Sequence, residues 1–186
     1  RQLREELPFK QVDEEFIKEK RSKAGLPLAE STKVGYRGLL AHQLEPLSKL
    51  KISQVSLDAV EKLKIKSDAQ GNRAKAFLSA LWKYSVKKRY LRAHSPNFAL
   101  GLDARPTIER ERFLKADEMG RFLQAVERSP LRDFWMVLLL TGQRKSNVLS
   151  MAWDEVDIDE AIWRIPPSKT KNKAGHTVPL VDEVLE

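Results

Sequence analysis

The sequence predicts a mainly α-helical chain with a small antiparallel β-sheet, arranged as two domains. Three observations lead there. Apolar residues recur at helical spacing through the first hundred residues. After residue 156 the period changes to short β-like runs separated by turns. Between the two regimes lies a turn-rich stretch, RAHSPNFALGLDARPT, in which Pro96 and Pro106 interrupt any helix. The expected division is a helical domain over 1–103, a linker over 104–112 and a second domain over 113–186.

Each element has its own signal. In PFKQVDEEFIKEKRSKAG, the spacing of Phe9, Val12, Phe16 and Ile17 predicts a first helix, with Gly25 as its stop. Ser31 or Thr32 is expected to cap a second helix through Tyr36, Leu39, Leu40 and Leu44, ending near Pro46. The run from Lys51 to Val55 reads as a connector. Ser56 caps a short third helix in SLDAVEKLKI. The fourth, GNRAKAFLSALWKYSVKKRYL, carries Ala74, Phe77, Leu78 and Leu81 on one face. The second half opens on a helix with Asp117 near its start. The apolar run Leu131 to Leu140 predicts a buried helix, and another starts around Gln143 to Lys145. Val156–Ile158, Ile162–Ile165 and Thr177–Leu180 read as three antiparallel strands, with 166–175 as a long basic turn.

Composition sets bounds. The chain has 186 residues, 41% of them apolar, enough for one or two domains with cores of their own. It has no cysteine, which excludes disulfides and thiolate metal sites and fits a reducing cytoplasm. Three histidines make a histidine-based zinc site a poor expectation. No stretch is long and apolar enough to span a membrane, and RQLREELPFK lacks the apolar run of a signal peptide. The chain opens without methionine and in mid-pattern, as a piece of a longer protein would.

Charge is distributed unevenly. Residues 1–103 carry 21 Lys and Arg against 12 Asp and Glu, whereas residues 104–186 carry 13 against 14. A basic half beside a near-neutral half suggests an electrostatic grip on a polyanion, salt-sensitive and largely indifferent to base sequence. From Ala69 to Leu102 there is no acid, but there are Arg73, Lys75, Lys83, Lys87, Lys88, Arg89 and Arg92. A helix with one apolar face and a basic face can lie along a phosphate backbone or in a major groove. The alternative is a solvated helix face, although solvated faces usually mix signs. Thr32, Lys33, Tyr36 and Arg37 at the start of the second helix form a weaker candidate.

Two constellations in the second half bear on chemistry. In TGQRKSNVLSMAW, Thr141 and Gly142 allow a sharp turn that leaves Arg144 near a helix start, suited to gripping a phosphate with a planar fork of donors. The alternative is a structural arginine paired with a buried carboxylate such as Asp157, and local features do not choose between them. In PPSKTKNKAGHTVPL, Lys169, Lys171 and Lys173 share an acid-free turn. A lysine over a phosphate can donate a proton to a departing oxygen or neutralise charge. An ordinary solvated hairpin tip is the alternative.

TGQRKSNVLSMAWDEVDID followed by IWRIPPSKTKNKAGHTVPL resembles the first half of the catalytic domain of tyrosine recombinases, the phage-integrase family. The likeness rests on TG-x-R, a Trp and an Asp at the expected distance, a β-hairpin, a Lys-Thr pair and His-x-Val-Pro-Leu, and covers about 112–186. It is nearest to integrases of prophages and genomic islands. The helical half is similar, by layout, to the family's SAM-like core-binding domain.

The resemblance implies DNA strand cleavage and rejoining through a phosphotyrosine intermediate, as in integration or excision of mobile DNA. It makes Arg144 the arginine that holds the scissile phosphate. Lys169 becomes the hairpin lysine acting as general acid toward the 5′ oxygen, with Lys171 as the fallback. His176 is read as hairpin structure rather than as the family's catalytic histidine. Asn147 stands where many relatives have an acid. Thr32, Lys33, Arg37, Arg73, Lys75, Lys83, Lys87, Lys88 and Arg89 are the expected DNA contacts. No cofactor and no metal are implied. The expected partners are double-stranded DNA and further recombinase protomers, a tetramer on DNA for the whole protein, in a bacterial cytoplasm at the nucleoid.

The family's His-x-x-Arg motif and tyrosine nucleophile would follow the VPL strand. Tyr36, Tyr84 and Tyr90 all lie in the helical half. Residues 1–186 alone are therefore expected to be monomeric and inactive. Two further readings stay open: a non-catalytic DNA-binding module, and a type IB topoisomerase, which shares the Arg, Lys and Tyr chemistry.

Overall fold

A computed structural model describes residues 7–22, 25–107, 109, 111–170 and 174–185. The chain divides into two compact units, Arg1–Arg110 and Glu111–Glu186. It is mainly helical with one small antiparallel sheet. No helix among the described residues is long and apolar enough to cross a membrane.

The first unit is built from α1 (Phe9–Glu19), α2 (Glu30–His42), α3 (Leu57–Glu61) and α4 (Asp68–Lys87), with two short 3₁₀ turns between α2 and α3 and one after α4. Phe9, Val12, Phe16 and Ile17 form the buried stripe of α1, and Ala74, Phe77, Leu78 and Leu81 that of α4. Phe16, Phe77 and Tyr36 meet as tilted and edge-on ring pairs, at 5.6 Å for Phe16–Phe77 and 4.9 Å for Tyr36–Phe77. Such pairs add to plain area burial. Ser56 caps α3 as expected, its hydroxyl accepting from the Ala59 N–H at 3.1 Å.

Several boundaries differ from the sequence reading. α1 stops at Glu19 rather than at Gly25, because Lys20 turns to extended backbone. Gly25 instead supplies a left-handed residue (φ 74°) in the turn beyond it. α2 starts at Glu30 on Ala29, with no side-chain cap from Ser31 or Thr32, and ends at His42. α4 begins at Asp68, ahead of Gly71, with an acid in its positive first turn. It closes when Arg89 adopts a left-handed φ of 61° and the Tyr90 and Leu91 N–H groups both return to the Ser85 carbonyl.

The unit closes on itself through its tail. The Asn72 side chain exchanges two 2.9 Å hydrogen bonds with the backbone of Arg105. The Arg105 guanidinium lies against Gly71, so close that a Cβ there would meet it at 3.0 Å.

The second unit contains α5 (Ala116–Glu127), α6 (Arg132–Thr141), α7 (Lys145–Leu149) and α8 (Asp182–Leu185) around β1 (Val156–Asp157), β2 (Ile162–Ile165) and β3 (His176–Pro179). The sheet order is β1-β2-β3, all antiparallel, with Trp163 opposite Val178 and Ile165 opposite His176. Alternation sends Trp163 and Ile165 into a core with Val148, Val178 and Leu180, while Arg164 faces out. β1 ends one residue before its expected bound, and β3 is shifted by one residue at both ends, from Thr177–Leu180 to His176–Pro179.

The apolar run expected as a buried helix is a correction. α6 forms, but none of its residues is fully buried. Phe134, Val137 and Leu138 pack on the core, whereas Trp135, Leu139 and Leu140 stay 36%, 38% and 41% exposed. A helix apolar all round needs cover on every side. Among the described residues only one side is covered.

Candidate functional site

The arginine turn is set by local backbone. α6 ends on Gly142 in the left-handed region, φ 61°, its N–H bonded to the Leu138 carbonyl at 3.1 Å. That residue reverses the chain and leaves Arg144 as the N-cap of α7, in extended conformation and exposed. α7 is only five residues long, so the guanidinium, not the helix dipole, is the anion-attracting group here.

Asp157, the carboxylate that offered Arg144 a structural role, is taken elsewhere. It pairs with Arg164 at 2.9 Å, and that contact holds its carboxyl below the usual range. Arg164 also binds Glu160. One of the hairpin's basic residues is thus used inside the sheet. Arg144 has no carboxylate partner among the described residues.

Lys169 ends the 3₁₀ turn Pro167–Lys169 at the hairpin's root. Its ammonium donates to the Glu155 carboxylate and to the Ser150 carbonyl, and it is 25% exposed. Burial pushes the Glu155 carboxyl up, but hydrogen bonds from Lys169 and from Trp163 Nε1 (3.2 Å) outweigh it and hold that carboxyl low. Sequence reasoning did not anticipate Glu155 as a partner. Lys171 and Lys173 lie outside the described residues.

On the far side of the tip, Nε2–H of His176 donates to Oε1 of Gln143 at 3.0 Å, next to Arg144. Asn147 sits one turn beyond Arg144, 2% exposed, with its Nδ2 unpartnered among the described residues.

In the first unit the basic candidates fall in two places. Thr32, Lys33 and Arg37 lie on α2. Lys33 is bonded to Glu30 at 2.6 Å, and with Arg37 it lines a cleft that Lys10 and Lys18 of α1 share. On α4, helical spacing sets Lys83 and Lys87 one turn apart on the outward face, both exposed, with Arg73 exposed and Lys75 half-buried nearer the start. Lys20, just past the end of α1, lies near enough to Lys83 for the two ammonium groups to repel, although burial is the larger influence lowering the Lys20 pKa.

The basic face is not unopposed, as the absence of acids within 69–102 suggested. Glu19 of α1 reaches Lys88 at 2.5 Å, and Lys88 also lies 5.5 Å from the Tyr84 ring centre. Arg89 is in the left-handed cap described above. The missed basic residues, Lys10, Lys18 and Lys20, were hidden in and just after a helix whose charges alternate in sign.

The tyrosines are embedded in this unit. The Tyr90 hydroxyl donates to Glu15 at 2.6 Å, and Tyr36 packs among the core rings. Burial, with Glu19 beside it, pushes the Tyr84 hydroxyl far above its ordinary value.

Residues 112–186 match the model of the phage integrase family. The prophage integrase IntA of Escherichia coli (strain K12) is 29% identical over 76 residues, which is 39% of this chain and 18% of that protein. The Tn1549 transposon integrase in complex with a circular intermediate DNA superposes with a TM-score of 0.65 at 17% identity, over 94% of this chain and 62% of that one. The same integrase in complex with transposon right end DNA gives 0.65, over 96% and 62%. The chain spans about three fifths of those solved chains and less than a fifth of the curated relative. Its fold is similar to that of the solved integrase, and its similarity to the phage integrase family model lies in residues 112–186.

Proposed function

We propose that this chain is part of a site-specific DNA recombinase, with the first unit gripping duplex DNA and the second supplying groups to the scissile phosphate. The observation that carries the reading is the Arg144 turn: an exposed guanidinium with no carboxylate partner among the described residues, beside the root of a basic hairpin. Arg144 would bind the non-bridging oxygens as charge develops on them, a contact stronger in the transition state than in the ground state.

The reaction is attack by a tyrosine oxygen on a DNA phosphorus. The bond to the 5′ oxygen breaks, and a 3′-phosphotyrosyl link and a free 5′-hydroxyl result. The tyrosine loses a proton and a hairpin lysine gives one to the leaving oxygen. In this reading residues 1–186 bind DNA without cutting it, since Tyr36, Tyr84 and Tyr90 serve the first unit's packing. Assembly of protomers into a tetramer on two sites belongs to the same reading.

Lys169 is the proposed acid. One observation favours Lys171 as a second reading: the Lys169 ammonium is held by Glu155 and the Ser150 carbonyl and must leave both to reach a substrate. In the full-length recombinase, Arg144→Ala should slow cleavage on the order of a hundredfold or more on every substrate. Replacing the acid lysine by Ala should slow cleavage at an ordinary 5′-oxygen far more than at a 5′-sulfur, which leaves without a proton. Selective slowing by Lys169→Ala assigns Lys169, and the same pattern from Lys171→Ala alone assigns Lys171. Unchanged cleavage in Arg144→Ala would overturn the reading.

A further inference from the structure

The hairpin is tied down on both sides of its tip, and both ties land beside α7. On the outgoing side Lys169 reaches the carbonyl of Ser150, the C-cap of α7. On the returning side His176, the first residue of β3, reaches Gln143, the residue before the N-cap Arg144. Only residues 170–175 lie between the two anchors. The return is tight, since a Cβ on Gly175 would meet the Ile165 carbonyl oxygen at 2.9 Å and Pro167 Cδ at 3.0 Å. Thr170 is buried at the other root, its hydroxyl donating to the Pro167 carbonyl at 3.1 Å. Gln143 is itself oriented, with its Nε2 donating to the Thr141 carbonyl at 3.4 Å.

We propose that Gln143 and His176 are positioning residues that tie β3 to the arginine turn, so that Lys169, at the root of the same hairpin, meets the phosphate that Arg144 holds. The proposal rests on the strand-exchange reading above, with Lys169 as the acid. The warrant is geometric. Proton transfer needs donor and acceptor within hydrogen-bond reach, and a displacement of about 1 Å can cost a hundredfold. The His176–Gln143 bond is a direct side-chain link between the returning strand and the arginine turn. It leaves the arginine's own backbone, set by Gly142 and α7, untouched.

The test compares leaving groups in the full-length recombinase. His176→Phe should slow cleavage at a 5′-oxygen by about ten- to a hundredfold and at a 5′-sulfur by no more than about twofold. His176→Gln keeps a hydrogen-bonding side chain and should recover most of the oxygen rate. Adding Gln143→Leu to His176→Phe should slow oxygen cleavage little further, because one bond is lost in either case. His176 is exposed, and thermal melting with DNA binding verifies that each variant folds. Equal slowing on both leaving groups, wild-type rates in His176→Phe, or additive losses in the double variant would overturn the proposal. A folded wild-type protein that cuts neither substrate would instead overturn the strand-exchange reading beneath it.

Discussion

The two units of this chain satisfy their apolar residues to different degrees. In the first, one core runs from Phe9 to Leu102 and takes in side chains from every helix. In the second, five buried residues, Val148, Trp163, Ile165, Val178 and Leu180, hold a sheet. Around them Leu131, Leu149, Trp153 and Ile158 remain 58%, 67%, 84% and 60% exposed. The first unit can therefore hold its basic surface rigid with its own packing. The second adds polar ties across its sheet and hairpin, Lys169–Glu155, Arg164–Asp157 and His176–Gln143.

The largest expected effect contrasts the two cores. Phe77→Ala should cost about 3–5 kcal/mol in hydrogen-exchange protection of the α4 amides. Trp153→Ala should change the stability of the second unit by less than about 0.5 kcal/mol, because that ring is already in water. A large loss from Trp153→Ala would show that the ring has a partner in solution.

The next concerns a charge buried within the better-packed unit. Asp13 is 4% exposed, and burial, with Glu14 beside it and Lys10 opposing, raises its pKa to about 7. A raised acid keeps its proton in the folded state while the unfolded chain releases one. Stability contributed by the protonated form is therefore lost as pH rises from about 4 to 7. Asp13→Asn should stabilise the unit at pH 8 on the order of 3 kcal/mol and change little at pH 4, in urea titrations at the two pH values. An equal effect at both would remove the titration argument.

In the second unit, Glu155→Gln should cost about 2 kcal/mol, since Lys169 loses its counter-charge while Trp163 keeps an acceptor. The native pair should itself weaken on acidification, because a carboxyl held low gives stability that is lost as pH falls through its folded pKa. Smallest is Arg89→Gly, expected to raise the melting stability of the first unit by about 1 kcal/mol by relieving a left-handed arginine. If Arg89 also meets a phosphate, the same variant will bind DNA more weakly.

Much of the architecture was legible because its causes are local. The three-stranded sheet follows from period-two runs between turns, and the arginine turn from a glycine that must be left-handed. What escaped depends on distance in sequence. The Glu19–Lys88 pair and the Asn72–Arg105 clasp join residues that only the packed helices bring together. The Lys169–Glu155 pair needs the sheet in place first. Composition also could not show that, among the described residues, α6 would be covered on one side only.

The central claim assigns DNA grip to the first unit and chemistry to the second, and salt-dependent binding of duplex DNA by residues 1–186 tests it most directly. The logarithm of the affinity should fall linearly with the logarithm of salt concentration. Lys83→Gln and Lys87→Gln should each flatten the slope by about one, and Arg144→Ala should leave most of it intact. Binding that ignores salt, or a slope that collapses with Arg144→Ala and not with the α4 lysines, would contradict the assignment.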